Sequence, residues 1–148
     1  MPNYRLILTA IDLSDEASSV LDRAAGMAAQ HSAELHLLHV VEPLSLAYGG
    51  DIPMDFSEVQ LQLQKQAETA LAKYAERLTI PAKRCHLLTG RPDAQIHELS
   101  KSLGADLIIV GSHGRKGLAL LLGSTANGVL HGASCDVLAV RVGQHKKP

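Results

Sequence analysis

Apolar residues fall along this 148-residue chain in two alternating rhythms: short runs of consecutive apolar side chains, and longer stretches in which they recur every third or fourth position. The first run, Arg5 to Ile11 (RLILTAI), ends at Asp12, Ser14 and Asp15, residue types that start helices, so a strand feeding a helix is predicted. From Ser14 onward Ala17, Val20, Leu21, Ala24 and Ala28 keep helical spacing, and Asp15 and Glu16 lie where a helix dipole favours negative charge. Glu34 to Val41 (ELHLLHVV) predicts the second strand. Glu42 to Asp55 is a polar loop with Tyr48, Gly49 and Gly50 at its tip, of a length usually tied to function or mobility.

The same two rhythms continue to the end. Ser57 to Leu78 predicts the longest helix, through Val59, Leu63, Ala67, Leu71, Tyr74 and Leu78, and Pro81 stops it. Arg84 to Thr89 predicts a third strand. After Gly90 and Arg91, Pro92 suits the first turn of a helix through Ile96, Leu99 and Leu103. Asp106 to Val110 and Asp136 to Val142 predict strands four and five, with a helix from Ser124 to Ala133 between them. Strict alternation of strand and helix, with several strands apolar on both faces, predicts an α/β fold: an open five-stranded parallel sheet with helices on both sides. With the first and fourth strands as central neighbours, the order is 3-2-1-4-5. The polar, basic end, Gly143 to Pro148, reads as a solvated tail.

Composition narrows the function. The length suits a single domain over residues 1–148 with one core. Fourteen basic against fifteen acidic residues give no field to steer a polyanion, and 3% aromatic content offers few stacking platforms, so nucleic acid is not an expected partner. No apolar stretch reaches membrane-spanning length, and no basic, apolar leader opens the chain, which together predict a cytoplasmic protein. Cys85 and Cys135 have no C-x-x-C partner and read as small buried hydrophobes.

Candidate chemistry concentrates after the fourth strand, where six of the twelve glycines lie between Gly111 and Gly132 (GSHGRKGLALLLGSTANG). Gly111 and Gly114 let backbone N–H groups turn inward, and such a concavity binds anions. Gly123, Ser124 and Thr125 open a helix whose unsatisfied donors and positive dipole end favour phosphate oxygens. Arg115 and Lys116 complement an anion there or are solvated loop charges; the glycines serve a ligand or simply stop a helix. In open parallel sheets ligands bind outside the carboxyl ends of the strands where strand order reverses, which places the site between Asp12 and Gly111. Asp12 then accepts from ribose or base, or caps the following helix with Ser14.

Other familiar chemistries are missing from the sequence. It contains no G-x-x-x-x-G-K-[ST], and no G-x-G-x-x-G follows the first strand. Ser112 and His113 are adjacent, but no G-x-S-x-G elbow exposes a nucleophile, and no catalytic residue is assigned. His36 and His39 point to opposite faces of one strand, so no metal site is assigned, and the remaining histidines read as surface or satisfied core residues.

Asp12 after the first strand, His39 and Val40 near the end of the second, Gly90-x-Pro92, and GSHGR-x-G followed by LLLGST together resemble the universal stress protein family over essentially the whole chain, in its nucleotide-binding branch. The resemblance implies a Rossmann-like sheet in the order above, a homodimer through the last strand, and ATP as ligand. It implies that Asp12 and Val40 hold the adenosine part, with Ala10 and Ile11 lining that pocket. Gly111, His113, Gly114, Arg115, Gly123, Ser124 and Thr125 would surround ribose and phosphates. Arg115 to Leu122 supply eight residues between two key glycines where the family pattern has nine, a departure at the phosphate end. The leading expectation is a nucleotide-binding stress-response or regulatory protein. Two alternatives stand beside it: slow ATP hydrolysis using His113, Arg115 or Lys116 with a magnesium ion held partly by Ser124, and a dimeric interaction module without nucleotide.

Overall fold

The computed structural model describes residues 3–44, 57–112 and 124–142. Five strands, β1 (Leu6–Ile11), β2 (Glu34–Val41), β3 (Cys85–Thr89), β4 (Leu107–Gly111) and β5 (Asp136–Val140), form one sheet in the order β3-β2-β1-β4-β5. Every neighbouring pair is parallel, with Ile7 opposite Leu35 on one side and Leu107 on the other. Four described α-helices connect or flank them: α1 (Ala17–His31), α2 (Ser57–Leu78), α3 (Pro92–Leu103) and α4 (Ser124–Gly132). The Rossmann-like α/β architecture and strand order expected from the alternating pattern are those observed.

Side-chain alternation on the central strands divides the core into two layers. Ile7, Ile11, Leu35, Leu37 and Ile109 pack on one face against α1 and α2 through Val20, Leu21, Ala24, Leu71 and Ala75. Leu8, Leu38, Val40, Ile108 and Val110 pack on the other against Ile96 of α3 and Ala126 and Val129 of α4. Both faces are covered, which is why these strands read as nearly continuous apolar runs. Burial of each such Val, Leu or Ile side chain stabilises the fold by about 1.5–3 kcal/mol. Thr9 is fully buried among them, and its hydroxyl donates to the Ile109 carbonyl at 3.2 Å, so this hydroxyl is not stranded.

Helix ends follow local chemistry. Ser32 and Thr79 take left-handed conformations after α1 and α2, and Gly104 does so after α3, where Pro92 occupies the first turn.

Several expectations are corrected in detail. Helix α1 begins at Ala17 rather than Ser14, because Asp12 and Ser14 bond to backbone N–H groups of the preceding turn. The apolar face of α2 engages the core from Ala67 onward, while Val59 and Leu63 remain exposed. Strand β4 continues through Gly111, paired with Val140, and β5 stops there rather than at Val142. The two cysteines are half-buried rather than buried, and desolvation raises both thiol pKa values.

Candidate functional site

Between β1 and β4 the order of strands reverses: the chain leaving β1 goes toward β2, and the chain leaving β4 goes toward β5. Connections that diverge in this way leave a crevice at the carboxyl ends. A cleft of about 770 Å³ opens there, a size suited to a small organic ligand. Its walls bring together Ala10, Ile11 and Asp12 from the end of β1, Val40 from β2, Gly111 from β4, and Ser124 and Thr125 from the start of α4. The other expected site residues, His113, Gly114, Arg115 and Gly123, lie outside the described residues, as do Lys116 and the loop tip at Tyr48, Gly49 and Gly50.

Asp12 does not cap α1, one of the two roles its sequence position left open; it bonds within the turn before the helix and lies on the cleft wall. Its Oδ1 accepts from the Ser14 N–H at 3.0 Å, an Asx turn that redirects the chain from β1 toward α1. Ser14 Oγ in turn accepts from the Glu16 N–H at 3.3 Å. The carboxylate is half-buried at the cleft wall, with Glu16 and Glu42 nearby on the same lining. This end of the cleft is therefore acidic. The other end carries the first residues of α4, where helix N–H groups without intrahelical acceptors and two side-chain hydroxyls offer donors.

The rim is held by bonds between strand ends. His39 Nδ1 lies 2.7 Å from the carbonyl of Ile11, Gly90 N donates to the Val41 carbonyl at 3.0 Å, and Ser112 N donates to Val140 at 2.8 Å. Gly90 adopts φ +145°, a conformation that favours glycine, and a Cβ there would meet the Gln95 side chain at 3.1 Å. At Gly111 the absence of a Cβ makes the wall backbone alone.

Sequence reasoning missed several residues of this lining, among them His39, Leu13, Glu16, Glu42 and Pro92. For His39 a signal existed: it shares strand parity with Leu37 and Val41 and lies opposite Ile11 in the register, at the carboxyl end of the sheet. The turn residues had no period to betray them.

A second polar cluster lies away from the cleft, near the amino end of β2. His36 places Nε2 2.6 Å from Glu34 Oε2 and Nδ1 3.0 Å from His86 Nε2. The ring centres are 5.3 Å apart and the planes differ by 16°. With the facing nitrogens 3.0 Å apart, the rings meet end to end rather than face to face. Burial, then the neighbouring His36, hold His86 below the ordinary histidine pKa. The hydrogen bond from His36, with help from Arg84 and Lys83, holds Glu34 below the usual carboxylate range against the opposing effect of desolvation. Among the described residues no group of three His, Cys, Asp or Glu side chains is arranged to hold a metal ion.

Comparison with known proteins agrees with this architecture. The Universal stress protein family model matches residues 3–141. Universal stress protein A homolog 1 of Coxiella burnetii is 44% identical over 140 residues, covering 93% of this chain and 96% of the relative. Universal stress protein G of Escherichia coli O157:H7 is 31% identical over 141 residues, covering 93% and 99%. Among solved structures, universal stress protein UspA from Lactobacillus plantarum superposes with a TM-score of 0.77 at 25% identity, over 94% of this chain and 99% of that one. A universal stress protein solved in complex with cAMP has the same fold, with a TM-score of 0.66 at 24% identity over 94% and 98% of the two chains. A matching family model over nearly the full length, two relatives above 30% identity and the shared sheet order converge: the chain belongs to the universal stress protein family.

Proposed function

We propose that this protein is a cytoplasmic adenine-nucleotide-binding regulator of the stress response, a single domain acting as a homodimer. The observation that carries the reading is the cleft at the strand-order reversal, acidic at Asp12 and donor-rich at Ser124 and Thr125. That polarity sets the direction of the ligand. Phosphates are repelled by Asp12, Glu16 and Glu42 and drawn to the start of α4, so base and ribose occupy the Asp12 end. Asp12 accepts from a ribose hydroxyl or base amine, while Val40, Ala10 and Ile11 supply apolar contact. The cyclic nucleotide held by one structural relative supports the ligand class.

His113, Gly114, Arg115 and Gly123 belong to the phosphate end by resemblance, and ATP is the leading ligand. Were a magnesium ion to accompany the phosphates, Ser124 Oγ would supply it a protein oxygen. The ion would neutralise phosphate charge. The chain's own part is to bind and orient: the Asp12 turn for the nucleoside, the α4 donors for the phosphates.

For the dimer, β5 is an edge strand in which Val137 and Leu138 are half-buried and Ala139 is exposed. Pairing β5 with its copy in a second chain removes an apolar edge. Among the described residues no helix is long and apolar enough to cross a membrane.

Calorimetric titration with AMP, cAMP, ADP and ATP tests the ligand. The expected result is saturable binding with matching thermal stabilisation, since a ligand specific for the folded state must raise its stability. No heat and no shift at high nucleotide contradict it. Steady phosphate release abolished by His113→Ala would favour the hydrolytic alternative, and a sedimentation run giving only monomer would remove the dimer.

A further inference from the structure

The turn that carries Asp12 is held from outside itself. Among the described residues three non-glycine residues have positive φ: Ser32 at 54°, Thr79 at 57° and Leu13 at 62°. Ser32 and Thr79 directly follow helices α1 and α2, where a left-handed residue ends the helix with its own hydrogen bonds. Leu13 ends no helix. It sits between β1 and α1, next to Asp12, and a left-handed leucine persists where surrounding contacts over-determine it. Those contacts include the packing of the Leu13 side chain against the core, the Asx bond from Ser14 N to Asp12 Oδ1 at 3.0 Å and, on the strand side, His39 Nδ1 at 2.7 Å from the carbonyl of Ile11.

Ile11 is the last residue of β1, while β2 runs two residues past its partner His39, to Val41. The Ile11 carbonyl stands at the end of β1, and the His39 side chain grips it there. A carbonyl only accepts, so Nδ1 carries the hydrogen; this fixes the tautomer of the neutral ring and its orientation on the cleft wall.

We propose that His39 is the positioning residue of the site: through its Nδ1–H bond to Ile11 it fixes the β1–α1 turn so that Asp12 faces the nucleoside. This rests on the nucleotide reading above and adds to it the residue on which the nucleoside end depends. His39 acts through Asp12 and not on the phosphates, so its loss weakens AMP and ATP by the same factor.

The test compares wild type, His39→Leu, His39→Asn and His39→Gln. Asn places an amide nitrogen where histidine has Nδ1; Gln places one further out, near Nε2; Leu has neither. Two readouts are taken, calorimetric affinity for AMP and for ATP, and hydrogen exchange of the Ser14 amide without ligand, with global stability from urea unfolding as the control. The expected result is a loss of about tenfold or more in affinity for both nucleotides in His39→Leu, equal within about threefold, with Ser14 exchange accelerated about tenfold or more beyond any change in global stability. His39→Asn retains both properties within about threefold of wild type. If His39→Leu does not fold, His39→Gln takes its place, with the same expected losses.

Unchanged Ser14 exchange and unchanged affinity in His39→Leu overturn the proposal. So does a His39→Asn protein that folds stably yet behaves like His39→Leu, since shape and not the donor would then matter. Wild-type protein that binds no nucleotide is instead the failure of the ligand reading, and the Ser14 exchange series then decides the role of His39 alone.

Discussion

The two ends of the sheet are built from the same strands, yet they are finished differently. At the amino end side chains close the strands off. The Asp106 carboxylate accepts from the backbone N–H groups of Arg5 and Leu6, both at 3.0 Å, and the Tyr4 hydroxyl donates to Asp136 at 2.6 Å. Tyr4 also packs against His31, with ring centres 5.1 Å apart. These bonds reach from α1 across β1 to β5. At the carboxyl end the bonds at His39, Gly90 and Ser112 tie neighbouring strands along a rim, and the space between β1 and β4 stays open. Polar groups of the first end serve closure, whereas Asp12 and the start of α4 line a cleft. Stability and ligand binding should therefore separate by end.

Asp12→Ala breaks the comparison most sharply. It removes the acceptor assigned to the nucleoside, and calorimetry should show nucleotide affinity falling about a hundredfold, which corresponds to about 2.7 kcal/mol. The same substitution should cost stability only about 1 kcal/mol, through the turn bond to Ser14. The mirror experiment is Asp106→Ala, which frees two backbone N–H groups at the opposite end. Urea unfolding should show a loss of about 1–3 kcal/mol, with nucleotide affinity unchanged. A drop in affinity there would join the two ends that the structure keeps apart.

The cluster at the start of β2 gives the amino end a pH dependence. His86 has a lowered folded-state pKa, so the unfolded chain takes up its proton first as pH falls through the ordinary histidine value of 6.5. Stability is full above that value and declines below it. Glu34, also lowered, contributes stability that is lost in a more acidic window, as pH falls below the usual carboxylate range through its folded-state pKa. Unfolding followed from about pH 8 to pH 5 should show the first decline, and His86→Phe should flatten it. Smallest of all, Tyr4→Phe should cost about 1 kcal/mol or less, because its hydrogen bond to Asp136 is exposed.

Sequence patterning was most informative where burial acts on whole elements. Strand β2 and helix α2 have the bounds their periodicity indicates, Glu34–Val41 and Ser57–Leu78, because coverage on two faces or one leaves a rhythm in the sequence. Reversal of strand order put Asp12, Gly111 and Ser124 on one cleft, since topology alone brings those ends together. What remained hidden depends on contacts between residues far apart in sequence. The hold of His39 on Ile11 and the contact of His36 with His86 depend on strand register, which no local pattern carries. The start of α1 was misplaced for a related reason: Asp12 and Ser14 have side chains that start helices or make turns equally well, and here they make a turn.

The central claim is that an adenine nucleotide lies between Asp12 and the start of α4, and titrating isotope-labelled protein with ATP while following every backbone amide tests it most directly. The account predicts saturable shifts centred on Asp12, Val40, Gly111, Ser124 and Thr125, with the amides of Leu6 and Asp106 at the far end of the sheet unmoved. Saturable shifts centred anywhere else, or no shifts at all, would contradict it.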